Sequence, residues 1–171
     1  FQALFEAAVS WGDIVITTAG VSVGTHDVVG DVLKARHAEI AFWKVAVRPG
    51  KPMVVARVAE KIYFGLPGNP LSTMCNTEIF VKPFLRKALG LEEKNVPMQS
   101  MKTTAEFSPD RQRLFFMNAV SEMVNGECVV TPLSNQNSAN LLNAAHGNAF
   151  IVAQPGEAKI AANSIVHVHL I

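Results

Sequence analysis

Apolar residues in the first half of the chain recur at two different periods. Residues 14–17 form a short β-branched run closed by glycine, which is typical of a buried strand in an α/β sheet. The stretches on either side, 1–11 and 27–37, carry apolar residues at helical spacing. The pattern therefore predicts helix, strand and helix in that order, with the apolar face of the first helix formed by Leu4, Phe5, Ala8 and Trp11.

The next segments predict three more strands and a long helix. Residues 40–48 favour one continuous strand, in which Lys44 and Arg48 share a face because alternate side chains point to the same side. Residues 53–58 and 61–65 predict two further strands. A helix is expected from Asn69 as N-cap to about residue 89, with a kink near Pro83.

The composition changes at residues 91–100, which indicate a linker. Beyond it, five short apolar stretches predict strands at 101–107, 113–122, 128–133, 150–152 and 165–170. Asn125-Gly126 lies between two of them and is a strong hairpin signal. We predict two domains divided within this linker, an α/β domain over 1–94 and a small all-β domain over 95–171.

Composition narrows the classes of function. The chain has 171 residues, is 49% hydrophobic and carries a net charge of +1, so no overall basic field favours nucleic acid. No apolar run approaches the roughly 20 residues that span a membrane. Cys75 and Cys128 could pair, but buried reduced thiols in a cytosolic protein are the expectation. His167 and His169 are too few for a metal site and are expected to face solvent.

The loop after the first strand is the first candidate site. Gly20 and Gly24 allow tight turns and a close approach to a ligand, and Ser22 can donate a hydrogen bond to phosphate. Asp27 ends the loop with a carboxylate where a hard cation could bind. The competing interpretation of Asp27 is an ordinary N-cap for the following helix.

Two further loops add candidate anion-binding groups. Lys44 and Arg48 place two cations on one predicted strand face, and Lys51 adds a third on the adjoining turn. The competing interpretation is that these side chains simply extend into solvent at a sheet edge. Residues 66–72, Leu-Pro-Gly-Asn-Pro-Leu-Ser, join a strand to a capped helix and could direct backbone N–H groups at an anion, or could be a structural turn.

Taken together, residues 13–27, 40–52 and 64–72 closely resemble three motifs of the MoeA/gephyrin E-domain family, the molybdopterin molybdenumtransferases. The resemblance implies part of a three-layer molybdopterin-binding α/β domain followed by a carboxyl-terminal β domain. Because the chain opens on a helix and not on a strand, we expect it to be a fragment of a longer protein, with little activity on its own. The resemblance implies that the full-length protein is a homodimeric, cytoplasmic enzyme.

The resemblance also implies a reaction and roles for residues. The family inserts molybdate into adenylated molybdopterin and releases AMP, with Mg²⁺. By this resemblance Asp27 is catalytic or magnesium-binding, and Lys44 and Arg48 are catalytic. Substrate-binding positions are implied at Gly20, Ser22, Gly24, Lys51, Pro67, Gly68, Asn69, Pro70, Ser72 and Ser138. Asn137 stands where relatives carry glycine before that serine, and Ala19 replaces a glycine of the first motif.

Two alternatives remain at this point. The related adenylyltransferase shares the α/β fold but lacks a trailing β domain, so residues 101–171 argue against it. A non-catalytic scaffold or peptide-binding module of gephyrin type would use the β domain to hold a peptide. Release of AMP with molybdate would favour the enzyme, and peptide retention without turnover would favour the scaffold.

Overall fold

The computed structural model describes residues 1–21, 28–91 and 98–171, and these residues form two β-sheets with helices packed against them. The elements of the first part are α1 (Gln2–Trp11), β1 (Ile14–Thr18), α2 (Val28–Ala35), β2 (Glu39–Trp43), β3 (Val47–Arg48), β4 (Val54–Val58), β5 (Lys61–Leu66), α3 (Pro70–Asn76) and α4 (Lys82–Ala88). Those of the second part are β6 (Met98–Thr103), β7 (Leu114–Val124), β8 (Glu127–Pro132), α5 (Leu141–His146), β9 (Ala149–Ala153) and β10 (Ile165–Leu170).

The first sheet has the strand order β1-β5-β4-β2 within the described residues. β1 runs parallel to β5, and the other neighbours are antiparallel. Helices α1 and α2 cover the sheet through a core that includes Phe5, Val29, Leu33 and Tyr63. The carboxyl ends of the parallel pair β1 and β5 lie side by side, so the loops that follow these strands begin at the same edge of the sheet.

The predicted apolar face of α1 is partly wrong. Phe5 is buried together with Val9, whereas Leu4 and Trp11 are 78% and 81% exposed. Nearly every position of this helix is apolar, so residue spacing alone could not select the stripe that meets the sheet. The contact is made by the pair four residues apart, whose side chains stack on one side of the helix.

The prediction of one strand over 40–48 is also wrong. The chain leaves the first sheet after Trp43, where Lys44 takes a left-handed backbone (φ 74°). It then forms β3, which pairs in parallel with β7 of the second sheet. Lys44 and Arg48 therefore do not share one strand face, because the backbone between them changes direction and sheet.

The long helix after residue 69 is interrupted as its proline predicts. Residues Thr77–Val81 form a π-helical turn between α3 and α4, and Pro83 is in the first turn of α4. Proline lacks an N–H and its ring clashes with the carbonyl four residues earlier, so a regular helix cannot continue through it. The helix ends before Gly90, which has a left-handed φ of 68°.

The second sheet closes into a barrel. Within the described residues, β7, β8, β6, β10 and β9 follow one another, and β9 pairs back to β7. The predicted hairpin is confirmed: Asn125 and Gly126 both have positive φ, 49° and 84°, as the tight turn between β7 and β8 requires. β3 adds to this barrel beside β7, so part of segment 1–94 belongs to the second sheet.

Several further expectations are settled by burial. His169 is 5% exposed, so its predicted solvent-facing position is wrong, whereas His167 is exposed. Both cysteines are free thiols. Cys75 is buried as predicted, but Cys128 is exposed, so the prediction of a buried thiol is wrong for Cys128. No helix in the described part of the chain is long and apolar enough to cross a membrane.

Candidate functional site

A cleft of about 560 Å³ lies between the α/β part and the barrel. Its walls come from the loops after β1 and β5, the end of β3 with the turn after it, the start of β7, and the loop between β8 and α5. The lining residues are Ala19, Gly20, Val21, Arg48, Pro49, Gly50, Lys51, Pro52, Pro67, Gly68, Asn69, Ser72, Arg113, Phe115, Gln136, Asn137 and Ser138. Segments separated by more than 100 residues in sequence thus meet at one cavity.

Most of the predicted site residues that the structure describes lie at this cleft. They are Gly20, Arg48, Lys51, Pro67, Gly68, Asn69, Ser72 and Ser138. Pro70 begins α3 next to the cleft but is not among its lining residues. The remaining predicted positions Ser22, Gly24 and Asp27 lie outside the described residues.

Lys44 lines a neighbouring cavity of about 540 Å³ and not the main cleft. Lys51 and Arg113 line both cavities, so they lie on the wall between them. The backbone N–H of Lys44 donates to the carbonyl of Met53 at 2.7 Å, which fixes the turn that follows β2. Lys44 and Arg48, predicted to act side by side, thus line different cavities.

The loops after β1 and β5 approach each other closely. Ala19 and Gly20 both have left-handed φ values, 71° and 76°, a conformation that suits glycine and strains alanine. The Ala19 N–H donates to the carbonyl of Leu66 at 3.0 Å. A Cβ at Gly68 would lie 3.0 Å from Cβ of Ala19, so any side chain at this position would crowd the loop after β1.

The turn after β3 is held from behind by a buried amide. Gly50 has φ 107°, and its carbonyl accepts a hydrogen bond from Nδ2 of Asn76 at 2.9 Å. A Cβ at Gly50 would lie 2.1 Å from Oδ1 of Asn76, which leaves no room for a side chain. This contact fixes the turn that carries Lys51, although the two segments are 26 residues apart.

The barrel contributes Ser138 through a loop docked on the start of α3. Oγ of Ser138 accepts a hydrogen bond from Nδ2 of Asn69 at 3.0 Å, and its carbonyl accepts one from the Leu71 N–H at 3.1 Å. The Ser138 hydroxyl hydrogen is therefore available for donation. Because Leu71 already donates to Ser138, this helix start offers one N–H fewer to an anion than the sequence predicted.

Gln136 fastens the same loop to the barrel. Its side-chain oxygen accepts from the Asn118 N–H at 2.9 Å, and Nε2 donates to the carbonyls of Asn118 and Leu133 at 2.9 and 2.6 Å. The amide thus pairs with the β7 backbone as a neighbouring strand would. Sequence reasoning missed Gln136, because a polar loop residue gives no sign of a partner 18 residues away.

Three cations line the cleft: Arg48, Lys51 and Arg113. Arg48 lies over the ring of Phe115, with its guanidinium carbon 4.8 Å from the ring centroid, and both arginines donate to Asp110. The pKa of Asp110 is held well below its usual range, chiefly by the hydrogen bond from the Gln112 N–H and then by the two arginines, against the opposing effect of burial.

Arg113 was not identified from the sequence. One signal was available, the charged run Asp110-Arg-Gln-Arg113 immediately before the strand that forms β7. A charged run in front of a strand is usually a solvated turn, so only the pairing of β3 with β7 brings Arg113 to the motif that carries Arg48.

The described residues contain no group of three or more His, Cys, Asp or Glu side chains that could hold a metal ion. The one predicted metal ligand, Asp27, is outside those residues. The described part of the cleft carries three cations and the hydroxyl group of Ser138, which are groups that can interact with an oxyanion by charge and hydrogen bonding.

Comparison with known proteins agrees with this arrangement. A family model described as a probable molybdopterin binding domain matches residues 1–87. A second, described as the MoeA C-terminal region (domain IV), matches residues 100–171. The chain belongs to the MoeA family. The predicted fold class, part of a molybdopterin-binding α/β domain followed by a β domain, is confirmed for this MoeA chain.

Curated relatives cover nearly all of the MoeA chain. It is 36% identical over 160 residues to the molybdopterin molybdenumtransferase of Staphylococcus aureus (strain COL), covering 92% of the chain and 38% of the relative. Identity to the molybdopterin molybdenumtransferase of Staphylococcus epidermidis (strain ATCC 12228 / FDA PCI 1200) is 33% over 165 residues, covering 96% and 39%. The MoeA chain thus spans about two fifths of these relatives' length.

Solved structures agree on the fold. The molybdopterin biosynthesis MoeA protein from Pyrococcus horikoshii superposes with a TM-score of 0.81 at 25% identity, covering 99% of the MoeA chain and 40% of that protein. A molybdenum cofactor biosynthesis protein from Pyrococcus furiosus gives a TM-score of 0.73 at 18% identity, covering 99% and 53%, and this second likeness concerns the fold alone.

Proposed function

We propose that this chain is part of a molybdopterin molybdenumtransferase, which inserts molybdate into adenylated molybdopterin and releases AMP. The observation that carries the proposal is the meeting of three family motifs and a barrel loop at one cleft lined by Arg48, Lys51 and Arg113. Molybdate is a tetrahedral dianion and the adenylated substrate carries a phosphoanhydride. Both are bound by positive groups and N–H or O–H donors in a partly enclosed site.

Each wall of the cleft has a distinct role in this proposal. The arginines offer planar N–H donors that match oxyanion geometry, while Lys51 supplies a compact positive charge. Ser138, with its oxygen already accepting from Asn69, donates its hydroxyl hydrogen to the ligand. Gly20 and Gly68 let the backbone of two loops come close to the substrate.

Magnesium is the less supported part of the proposal. The described residues provide no ligand set for it, so no step is assigned to the ion. We propose that Asp27 is a catalytic or magnesium-linked carboxylate, on the resemblance of its motif alone. A homodimeric, cytoplasmic full-length enzyme and an inactive isolated chain are proposed on the same basis, as is a catalytic role for Lys44.

The role of Asp27 is tested by Asp27→Asn in the full-length protein. Asparagine caps a helix about as well as aspartate but lacks the charge that magnesium prefers. We expect a near-normal melting temperature and loss of most magnesium-dependent AMP release. Asp13→Asn is the matched control, because Asp13 is an exposed acid of the same motif that pairs only weakly, at 3.3 Å, with Lys61. Wild-type turnover by a folded Asp27→Asn protein would return Asp27 to the role of a helix cap.

The same assay distinguishes the transferase from the scaffold alternative. A gephyrin-type scaffold would retain a peptide partner and release no AMP when molybdate is added. AMP release by the full-length wild-type protein, dependent on molybdate, supports the transferase. Its absence in a well-folded preparation contradicts the proposed function.

A further inference from the structure

One carboxylate joins the two arginines of the cleft. Nη1 of Arg48 and Nη2 of Arg113 both donate to the same oxygen, Oδ2 of Asp110, at 3.2 and 2.9 Å. Arg48 belongs to β3 in the α/β part of the sequence, and Arg113 lies just before β7 of the barrel. A single atom of Asp110 therefore brings together two cations that come from different halves of the chain.

The other oxygen of Asp110 has a separate task. Oδ1 accepts the backbone N–H groups of Gln112 and Arg113, each at 2.9 Å, and so closes the turn before β7. The carboxylate is held in place by the backbone on one side and contacts the arginines on the other. Because its pKa is lowered by these contacts, it remains charged throughout the neutral range.

The carboxylate is buried and the cations are not. The side chain of Asp110 is 9% exposed, whereas those of Arg48 and Arg113 are 45% and 35% exposed. Both arginines line the cleft, and Asp110 is not among its described lining residues. The ring of Phe115 supports the face of the Arg48 guanidinium, 4.8 Å from its centroid. Each guanidinium is thus held by a buried carboxylate while the arginine itself lines the cavity.

We propose that Asp110 is a positioning residue that fixes the guanidinium groups of Arg48 and Arg113 so that both address one oxyanion in the cleft. The inference rests on the proposed function, in which that oxyanion is molybdate. Donors that are oriented before the ligand arrives lose less side-chain entropy on binding and need little reorganisation. Two unrestrained arginine side chains would instead lose conformational freedom when the ligand binds.

A purely electrostatic role for Asp110 predicts the opposite effect on binding. Removing a negative charge beside three cations makes the cleft more positive, which by Coulomb attraction alone strengthens the binding of a dianion. Removing a positioning contact weakens it. The sign of the change therefore distinguishes the two roles.

The test is Asp110→Asn in the full-length protein, with molybdate affinity measured by calorimetry. Oδ1 of asparagine can still accept the N–H groups of Gln112 and Arg113, so the turn is kept, but its NH₂ group cannot accept from the arginines. We expect the molybdate dissociation constant to rise roughly tenfold, the equivalent of one charge-assisted hydrogen bond. Unchanged or tighter binding by the folded variant overturns the proposal.

Glu127→Gln is the matched control for charge. It also removes one carboxylate from the barrel and breaks one ion pair, with Lys102 at 3.0 Å, but it lies on the hairpin side of β8, and neither residue lines the cleft. We expect its molybdate affinity to equal that of the wild type. A loss in this variant as large as that in Asp110→Asn would show that the effect does not depend on the arginine contacts, and would also overturn the proposal.

A crystal structure of ligand-free, full-length Asp110→Asn provides a readout that needs no molybdate. We expect the guanidinium groups of Arg48 and Arg113 to move apart or lose a single position, and unchanged positions overturn the proposal. If the wild-type protein binds no molybdate, the proposed function fails. The arginine positions then still decide whether Asp110 orients the pair.

Discussion

Two ionic clusters among the described residues connect the α/β part to the barrel, and they differ in whether their cations line the cleft. At the cleft, buried Asp110 holds two half-exposed arginines that face a cavity. Elsewhere on the interface, Glu78 in the π-helical turn pairs with Lys82 of its own helix and approaches His169 of the last strand, with Nε2 3.5 Å from the carboxylate. Neither Glu78 nor His169 lines the cleft.

The contact between Glu78 and His169 is enclosed, whereas the arginines of the first cluster line a cavity. Glu78 and His169 are both buried, and neither ring nitrogen of His169 has a hydrogen-bond partner among the described residues. Burial lowers the pKa of His169, and its contact with Glu78 only partly offsets this effect. The imidazole therefore favours the neutral form, so the contact across the interface carries no cation. Lys82 is 53% exposed, but it does not line the cleft.

This difference indicates which ionic contacts serve binding and which serve assembly. When the carboxylate is buried and the cations face outward, their remaining N–H groups can meet an oxyanion. When the carboxylate and its partner from the other domain are both buried, the contact can only hold the domains together. Three predictions test the distinction, from the largest expected effect to the smallest.

The largest effect is expected from Gly50→Ala, which alters the turn on the cleft side. The new Cβ would lie 2.1 Å from Oδ1 of buried Asn76, in a backbone with φ 107°. Overpacking and backbone strain together should cost about 3 kcal/mol or more of unfolding free energy, measured by urea denaturation. Gly90→Ala is the control, because Gly90 also has a positive φ but open space around it, and about 1 kcal/mol is expected there. Equal losses in the two variants would mean that Asn76 yields and does not fix the turn.

The next prediction compares the removal of one cation from each cluster. Arg48→Ala in the full-length protein should weaken molybdate binding about ten- to hundredfold, because charge-assisted hydrogen bonds to the ligand are lost. Lys82→Ala should leave molybdate affinity unchanged and cost about 1–2 kcal/mol of stability, because buried Glu78 loses its cation. Calorimetry and melting curves of both variants give the four values. Weaker molybdate binding in Lys82→Ala would show that the enclosed cluster also supports the site.

The smallest effect concerns pH. Because the pKa of His169 is lower in the folded chain than the ordinary value of about 6.5, the unfolded chain takes up the proton first on acidification. His169 should therefore make stability fall as the pH drops below about 6.5 and have no effect at higher pH. In His169→Gln the stability curve should be flatter below about pH 6.5.

The control for the pH experiment is His167→Gln. His167 lies two residues away on β10, and its side chain is exposed where that of His169 is buried. Both variants remove one histidine, so the difference between their stability curves isolates the buried ring. Parallel curves for wild type and His169→Gln would contradict the assignment of acid sensitivity to this cluster.

The local parts of the fold could be predicted from sequence because their causes are local. Asn125-Gly126 specified a tight turn through its backbone preferences, and Pro83 specified where a regular helix must stop. The β-branched run before Thr18 specified a strand, and Pro70 in the third motif specified the first position of a helix. In each case the determining residues lie within a few positions of the feature they determine.

The errors arose where a distant partner decided the outcome. Trp11 was assigned to the core because it is apolar, but the sheet contacts only one stripe of α1. His169 was assigned to solvent because it is polar, although Glu78, 91 positions earlier, lies against it in the folded chain. Residues 40–48 were assigned to one strand because all are suited to a strand. In the folded chain the end of this segment pairs with Leu114 and Phe115 and so belongs to the other sheet.

The sequence by itself determined the three glycine-bearing motifs, the order of α/β elements and β strands, and the kinds of side chain available to an oxyanion. Only the tertiary structure decided which of these groups meet. It separated Lys44 from Arg48 and joined Arg48 to Asp110 and Arg113 across more than 60 positions. The physical reason is that backbone preference and hydrophobic period act over a few residues, whereas the neighbours of a charge depend on which strands pair and how closely the two sheets pack.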